Sequence, residues 1–232
     1  MPSRRTRKLS ASPTTAASAV NHHAAFIPLV FIMMIIWFVY RAVFSFPVWF
    51  DESIGKALFF GLPVWLYVSL SGSRSIPDTF SIAKIRPGLL MGIVVGGIFG
   101  FVASIISLLQ AGSDVQAVAL FSSPLFWGEF LLALLTGFWE TLFFFSWIMV
   151  VWQERFPRQS LLKQIVAVAL IFVIFHLPNA FLRLPTLGAV RLLLLLFLFA
   201  LGQALVFSRW RNGYTLALSQ AIWGMVLLIH VG

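Results

Sequence analysis

Long apolar runs, separated by short polar breaks, are the feature that most constrains how this chain folds. A helix needs about 20 mostly apolar residues to cross a hydrocarbon layer roughly 30 Å thick, and the chain contains several such runs. Of its 232 residues, 60% are hydrophobic and 10% are charged, with a mean hydropathy of +0.98. A soluble domain of this size does not need so much apolar surface. The sequence therefore predicts an all-α, polytopic transmembrane helix bundle.

The apolar runs predict seven transmembrane spans, with ends placed to within about 2–4 residues. They are Ala24–Tyr40, Ala57–Ser71, Gly88–Leu109, Leu125–Val151, Leu161–Leu177, Leu187–Phe207 and Tyr214–Val231. The second is short for a span, so its position is the least constrained. We predict one membrane domain over residues 24–232, because the chain shows no internal repeat and no soluble domain.

The first 23 residues combine four basic side chains with many Ser, Ala and Thr residues. This composition cannot bury a core, so residues 1–23 are predicted to form a disordered basic arm. The apolar run that follows is longer than the hydrophobic region of a secretory signal and ends without a small-residue cleavage motif. It is therefore predicted to be an uncleaved first span. We interpret the basic residues as topology determinants and predict no nucleic-acid partner.

The distribution of basic residues predicts the orientation of the bundle. With a cytoplasmic N-terminus, the inner segments hold 12 of the 16 Lys and Arg residues. The outer segments then hold only Arg41, Lys56, Arg183 and Arg191. The positive-inside rule favours this arrangement, in a bacterial or archaeal cell membrane. Ser73–Pro87 is predicted to be a cytoplasmic linker with a weakly amphipathic piece lying on the inner leaflet.

Glu140 is the acidic residue that the membrane setting makes most unusual. Five of the seven acids fall in predicted loops, where a solvated position is expected: Asp51, Glu52, Asp78, Asp114 and Glu154. Glu129 lies near the outer end of the fourth span and can reach the headgroup region. Glu140 lies about 22 Å along the helix from Arg155, inside the hydrocarbon. A charge there costs at least about 2.5 kcal/mol, so it usually has a function.

His176 is predicted to lie at nearly the same depth, on the neighbouring span. It is about 20 Å along the fifth helix from Lys163, and the fourth and fifth spans share a short cytoplasmic turn. A carboxylate and an imidazole at one level can share a proton, a water or a metal. The structural alternative is that Glu140 is protonated and only hydrogen-bonds His176 between two helices.

No metal site and no cofactor are predicted. A catalytic zinc site normally has three protein ligands, and only Glu140 and His176 are predicted at this depth. His22 and His23 lie in the N-terminal arm, and His230 lies at the outer end of the last span. The chain has no Cys, which excludes thiol nucleophiles and Cys-based zinc sites.

Two motifs around these residues resemble the CPBP family of intramembrane endopeptidases, which includes the CAAX prenyl proteases and bacteriocin-processing relatives. The segment ETLFFFSWIMVVWQERFP has the layout of the family's EExxxR helix, and Glu140 stands at the first Glu. Thr141 and Phe145 replace the second Glu and the Arg of that motif. The segment FVIFHLPN, Phe172–Asn179, fits the family's FxxxH motif without a departure, with His176 as its His.

The third motif of the family, HxxxN or HxxxD, is similar only in outline. Here Gln220 stands in place of the His and Gly224 in place of the Asn. The resemblance covers the C-terminal half of the chain, residues 124–232.

The resemblance implies a glutamate-type hydrolase. Glu140 would be the base that activates a water with His176 as its partner, and Gln220 would at most replace a lost oxyanion donor. Losing one such donor typically costs about 10²–10³ in turnover, so a changed site can retain activity. The substrate implied is a membrane-associated peptide or protein, cleaved near the outer half of the bilayer.

Two other functions stay open at this point. One is a catalytically inactive membrane protein of the same fold, with an immunity, scaffold or partner role. The other is a small proton-coupled carrier that uses Glu140 and His176 as a relay. The oligomeric state is left open. The glycines of GIVVGGIFG, Gly92–Gly100, have a spacing that predicts close helix contact within the bundle.

Overall fold

The computed structural model describes residues 25–111 and 125–231, and this part of the chain is all-α, as predicted. Its long helices are α1 Phe26–Val43, α2 Val48–Ser71, α3 Ile85–Ala111, α4 Phe126–Arg155, α5 Leu161–Arg183, α6 Thr186–Trp210 and α7 Gly213–Val231. Two short 3₁₀ turns, Pro77–Phe80 and Ile82–Lys84, connect α2 to α3. The predicted N-terminal arm with His22 and His23, and also Asp114, lie outside the described residues.

Six of these helices, α1 to α6, are long and apolar enough to cross a membrane. The protein is therefore an integral, multi-pass membrane protein. The helix α7 packs along α3 and α4, and α5 packs along α6. Among these six helices α4 is the most buried, with 67% of its membrane window inside the structure, against 28–33% for the other five. The bundle is thus built around α4.

The middle of α4 is aromatic and supplies much of the core. Phe143, Phe144, Phe145 and Trp147 are fully buried. Phe143 and Phe144 both pack against Phe60 and Phe175, at ring-centroid distances of 4.7–5.5 Å. Edge-to-face and offset aromatic contacts of this kind stabilise a core beyond simple burial.

The predicted second span was wrong at its N-terminal end. The helix α2 begins at Val48 rather than Ala57, so Asp51, Glu52 and Lys56 lie inside it and not in a loop. Asp51 and Lys56 are 2% and 4% exposed. A hydropathy pattern counts each charge as unfavourable, whereas these charges have partners in the folded bundle. Glu154, also predicted in a loop, lies exposed in the last turn of α4.

Asp51 shows how one of these charges is accommodated. Its carboxylate accepts a hydrogen bond of 2.5 Å from the hydroxyl of Tyr40 and pairs with the guanidinium of Arg41. Both partners lie at the C-terminal end of α1. This cluster joins α1 to α2 and explains why Arg41 is buried at the predicted outer end.

The glycine pattern of α3 forms its contact with α7, as predicted for a contact within the bundle. A Cβ atom added at Gly96 would lie 3.0 Å from the Cα of Ser219 and 2.8 Å from Cδ1 of Ile222. Gly92 is similarly close to Leu218, at 2.9 Å. Gly97 faces open space, so only one side of the glycine pattern makes the contact. Small residues let the two helix backbones approach each other closely.

The linker between α2 and α3 packs two of its side chains against the bundle, and its place on the inner leaflet stays a prediction. Ile76 and Thr79 are each 1% exposed. The Thr79 hydroxyl donates to the carbonyl of Ile76 at 2.7 Å and hydrogen-bonds the hydroxyl of Ser146 on α4 at 2.8 Å. These two side chains attach the linker to α4, and the buried Thr79 hydroxyl is paired, as it must be where an unpaired hydroxyl would be costly.

Three connections meet at one end of the bundle. Lys84 of the linker donates through Nζ to the carbonyl of Arg211, in the turn between α6 and α7, at 2.9 Å. Arg211 in turn donates through Nη2 to Oε1 of Gln153, near the end of α4, at 2.7 Å. The linker, the turn between α6 and α7 and the end of α4 were all predicted on one side of the membrane. Successive helices that run in opposite directions bring them to the same end of the bundle. That this side is cytoplasmic stays a prediction from the basic residues.

Candidate active site

The predicted site lies where two helices depart from regular α geometry. In α4 the segment Thr141–Met149 is π-helical, and Glu140 immediately precedes it. In α2 two π-helical segments, Asp51–Gly55 and Ala57–Gly61, flank Lys56. π turns are rare and occur frequently at functional sites. Their wider turns rotate the residues that follow, so they change which side chains of α2 and α4 face each other.

Glu140 and His176 meet in the interior of the bundle. The distance from Oε1 of Glu140 to Nε2 of His176 is 3.5 Å. Glu140 is 7% exposed, and it lies near the midpoint of α4. The structure thus brings together the carboxylate and the imidazole whose common depth the sequence predicted.

The imidazole of His176 has a defined orientation. Its Nδ1 lies 2.7 Å from the carbonyl oxygen of Phe172, which can only accept, so Nδ1 carries a proton and donates it. The Phe172 ring stacks on the imidazole at a centroid distance of 4.3 Å. Nε2 is left to face Glu140. Because 3.5 Å exceeds an ordinary hydrogen bond, a water beside both atoms can bond each of them.

A tryptophan on α1 holds the same part of α5. Trp37 donates through Nε1 to the carbonyl of Phe175 at 2.8 Å. Pro178 lies inside α5 and has no backbone N–H, so the hydrogen-bond ladder of the helix is interrupted just after His176. The indole hydrogen bond attaches this weakened turn to α1.

Lys56 is the site residue that sequence reasoning missed. Its Nζ lies 2.5 Å from Oε1 of Glu140 and 2.5 Å from Oε2 of Glu52. Oε2 of Glu52 also accepts a hydrogen bond of 2.9 Å from the hydroxyl of Thr136 on α4. The four-residue spacing of Glu52 and Lys56 is a signal for a helical ion pair. The sequence analysis did not use this spacing because it placed both residues outside a helix.

We call Glu52, Lys56, Glu140 and His176 the polar cluster. It joins α2, α4 and α5, with two carboxylates and one ammonium group. Its net charge is −1 when the imidazole is neutral and zero when the imidazole is protonated. A buried ion pair is stable only when its geometry is good and its remaining hydrogen-bonding positions are filled.

Gln220 of α7 contacts α4 at Thr141, the sequence neighbour of Glu140, and takes no part in the ion pairs of the polar cluster. Oε1 of Gln220 accepts a hydrogen bond of 3.2 Å from the hydroxyl of Thr141. Its Nε2 is buried and has no hydrogen-bond partner among the described residues. Gly137 permits this approach, since a Cβ atom there would lie 3.1 Å from the Cβ of Gln220.

Two of the residues that depart from the motifs of the resembled family, Thr141 and Gln220, are in contact with each other. Thr141 stands where the family has its second Glu, and Gln220 stands where it has its later His. The hydrogen bond between them leaves the Gln220 amide N–H₂ group as an unused donor. Gly224, which stands in place of the Asn, packs near Ala133 and has no side-chain donor. Asn179 also has a buried oxygen, Oδ1, without a partner among the described residues.

An apolar groove runs along the outside of the site between α2, α4 and the linker, with a volume of about 550 Å³. Ala57 and Trp139, which line it, are the sequence neighbours of Lys56 and Glu140. Gly61 also lines it, and a Cβ atom there would lie 2.6 Å from the Trp139 ring. Neither Glu140 nor His176 is among the residues that line this groove.

Comparison of the chain with known proteins gives no relative from which a function can be transferred. No family model matches, no curated protein matches, and no solved structure matches. Within residues 25–111 and 125–231, no group of three or more His, Asp or Glu side chains is placed to hold a metal ion.

Proposed function

We propose that this protein is a glutamate-dependent intramembrane endopeptidase, related to the CPBP family, in a bacterial or archaeal cell membrane. The observation that carries the proposal is the 3.5 Å approach of the Glu140 carboxylate to Nε2 of His176 in the interior of the bundle. A charged residue at this depth is expensive and usually functional. The unused donor of Gln220 beside the same helix supports the assignment.

In the proposed reaction, one water lies beside the two side chains and hydrogen-bonds Oε2 of Glu140 and Nε2 of His176. The carboxylate removes a proton from this water as its oxygen attacks the carbonyl carbon of a peptide bond. The amide group of Gln220 donates a hydrogen bond to the oxyanion that forms. The proton is then delivered to the leaving nitrogen as the carbon–nitrogen bond breaks. General acid–base catalysis of this kind contributes about 10²–10⁴ in rate.

The contact with Lys56 is compatible with this role because it engages one oxygen of the carboxylate. Lys56 and His176 both approach Oε1 of Glu140. The other oxygen, Oε2, is the atom that we assign to the water. The substrate is a membrane-associated peptide that enters laterally, along the apolar groove between α2 and α4.

The test compares two glutamine substitutions on α4. Glu140→Gln removes the base, whereas Glu129→Gln changes an exposed carboxylate near the start of the same helix. Both purified variants and the wild type are incubated with membrane peptides of the host, and the products are compared by mass spectrometry. We expect cleavage by the wild type and by Glu129→Gln only. Products that persist at the wild-type rate with Glu140→Gln exclude this mechanism.

A second function is favoured by a specific observation, namely that Lys56 already neutralises Glu140. A paired carboxylate can serve only to hold α2 against α4, in an inactive protein with a scaffold or partner role. This function predicts that Glu140→Gln and His176→Gln reduce stability and that no peptide is cleaved by the wild type. The same incubation therefore separates the two functions.

A further inference from the structure

The buried lysine of the polar cluster has no counterpart in the motifs that suggested the site. We propose that Lys56 is a positioning residue that keeps Glu140 ionised inside the membrane and fixes one of its oxygens, while Glu52 holds the ammonium in place. The charge state of Glu140 does not depend on the proposed endopeptidase activity. Only the catalytic consequence of Lys56 rests on that function.

The argument begins with the contacts of the ammonium group. Lys56 is 4% exposed, so its charge has almost no contact with solvent. Two of its three donors reach carboxylates, Glu52 on its own helix and Glu140 on α4, both at 2.5 Å. Charge-assisted hydrogen bonds are the strongest that a side chain makes, so Lys56 is held from two sides.

Among the residues that the structure describes, Lys56 is the only permanent cation that pairs with Glu140. The groups in contact with the carboxylate are Lys56 from α2 and His176 from α5, and Glu52 adds a second carboxylate on the same ammonium. The imidazole is 3.5 Å away, and it compensates a carboxylate only when Nε2 is protonated. Without Lys56, a desolvated carboxylate at this position takes up a proton rather than remain unpaired.

The role of Glu52 follows from its position one helical turn from Lys56. A lysine side chain is flexible, and a single partner would let it follow Glu140 out of position. The second carboxylate is itself fixed by the hydroxyl of Thr136 at 2.9 Å. Glu52 therefore anchors the ammonium, and the ammonium anchors Oε1 of Glu140. This leaves Oε2 in a defined place for the proposed reaction.

The test measures the charge of Glu140 directly, by infrared difference spectroscopy on purified protein in mild detergent at neutral pH. A protonated carboxyl group has a carbonyl absorption that an ionised carboxylate lacks. Subtracting the Glu140→Gln spectrum from that of each parent isolates the signal of Glu140. The parents are the wild type, Lys56→Met, which removes the charge, and Lys56→Arg, which retains it.

We expect no protonated carboxyl signal from Glu140 in the wild type or in Lys56→Arg, and the signal of one protonated carboxyl group in Lys56→Met. A protonated Glu140 in the wild type overturns the proposal, and this measurement does not require that any lysine variant folds. An ionised Glu140 in folded Lys56→Met also overturns it, because another group would then supply the compensation.

Cleavage provides the second readout. We expect Lys56→Met to lower kcat by about 10²-fold with KM retained, because the carboxylate loses both its charge and its position. Lys56→Arg is expected to retain most of the activity. If Glu140→Gln cleaves as the wild type does, the proposed function fails, while the infrared result still decides the role of Lys56.

Discussion

The contacts of Lys56 predict that the protein loses less stability when Glu140 is replaced than when Lys56 is replaced. Glu140→Gln leaves Lys56 paired with Glu52 at 2.5 Å, and the new amide oxygen can still accept from the ammonium. The loss is therefore about that of one ordinary hydrogen bond, roughly 1 kcal/mol. Lys56→Met instead leaves two carboxylates without their cation. Breaking a buried pair in this way costs about 3–5 kcal/mol.

The same contacts predict that Glu140→Gln destabilises the wild type but stabilises the Lys56→Met variant. In Lys56→Met the buried Glu140 has to take up a proton, which costs free energy at neutral pH because the carboxyl group is ionised in the unfolded chain, so Glu140→Gln is expected to stabilise the protein by at least about 1 kcal/mol. The two single effects are then not additive, and the coupling is about 2 kcal/mol or more. Intramembrane hydrogen bonds average only about 0.6 kcal/mol, so an ordinary polar contact does not give this result.

The assay is reversible unfolding in mixed micelles with increasing sodium dodecyl sulfate, followed by the fluorescence of the chain's 9 Trp residues. Four proteins complete the cycle: the wild type, the two single variants and the double variant. Glu129→Gln, on the exposed part of α4, is the control and is expected to be neutral in both backgrounds. Equal destabilisation by Glu140→Gln with and without Lys56 refutes the reasoning, because the ion pair would then contribute nothing specific.

Three further substitutions test the packing, each with the same unfolding assay. Gly96→Val is expected to cost about 1–3 kcal/mol by forcing α3 away from α7, whereas Gly97→Val, which faces open space, is expected to be nearly neutral; equal effects would contradict the assigned contact face. Trp37→Phe keeps an aromatic ring but removes the indole N–H that donates to the carbonyl of Phe175, and a loss of about 1 kcal/mol is expected. Thr79→Val replaces a buried hydroxyl that makes two hydrogen bonds with a methyl group, and a loss of about 1–3 kcal/mol is expected. An unchanged unfolding midpoint would show that these hydrogen bonds do not hold the linker.

The sequence predicted most of the fold because a bilayer constrains a chain through local composition. Long apolar runs predict the spans, and the chain's glycine spacing predicts where α3 approaches a neighbour. The common depth of Glu140 and His176 also follows from counting residues along two helices joined by a short turn. These properties depend on a few neighbouring residues, so they can be read without the tertiary structure.

The first residue of α2 and the cation that pairs with Glu140 could be identified only from the folded bundle. Lys56 and Glu140 are 84 positions apart, and no local pattern relates them. Read by itself, a lysine is unfavourable in a hydrophobic helix, and Lys56 was accordingly predicted in a loop. The free energy of a buried charge depends on the partner that another helix supplies, and helix packing alone determines that partner.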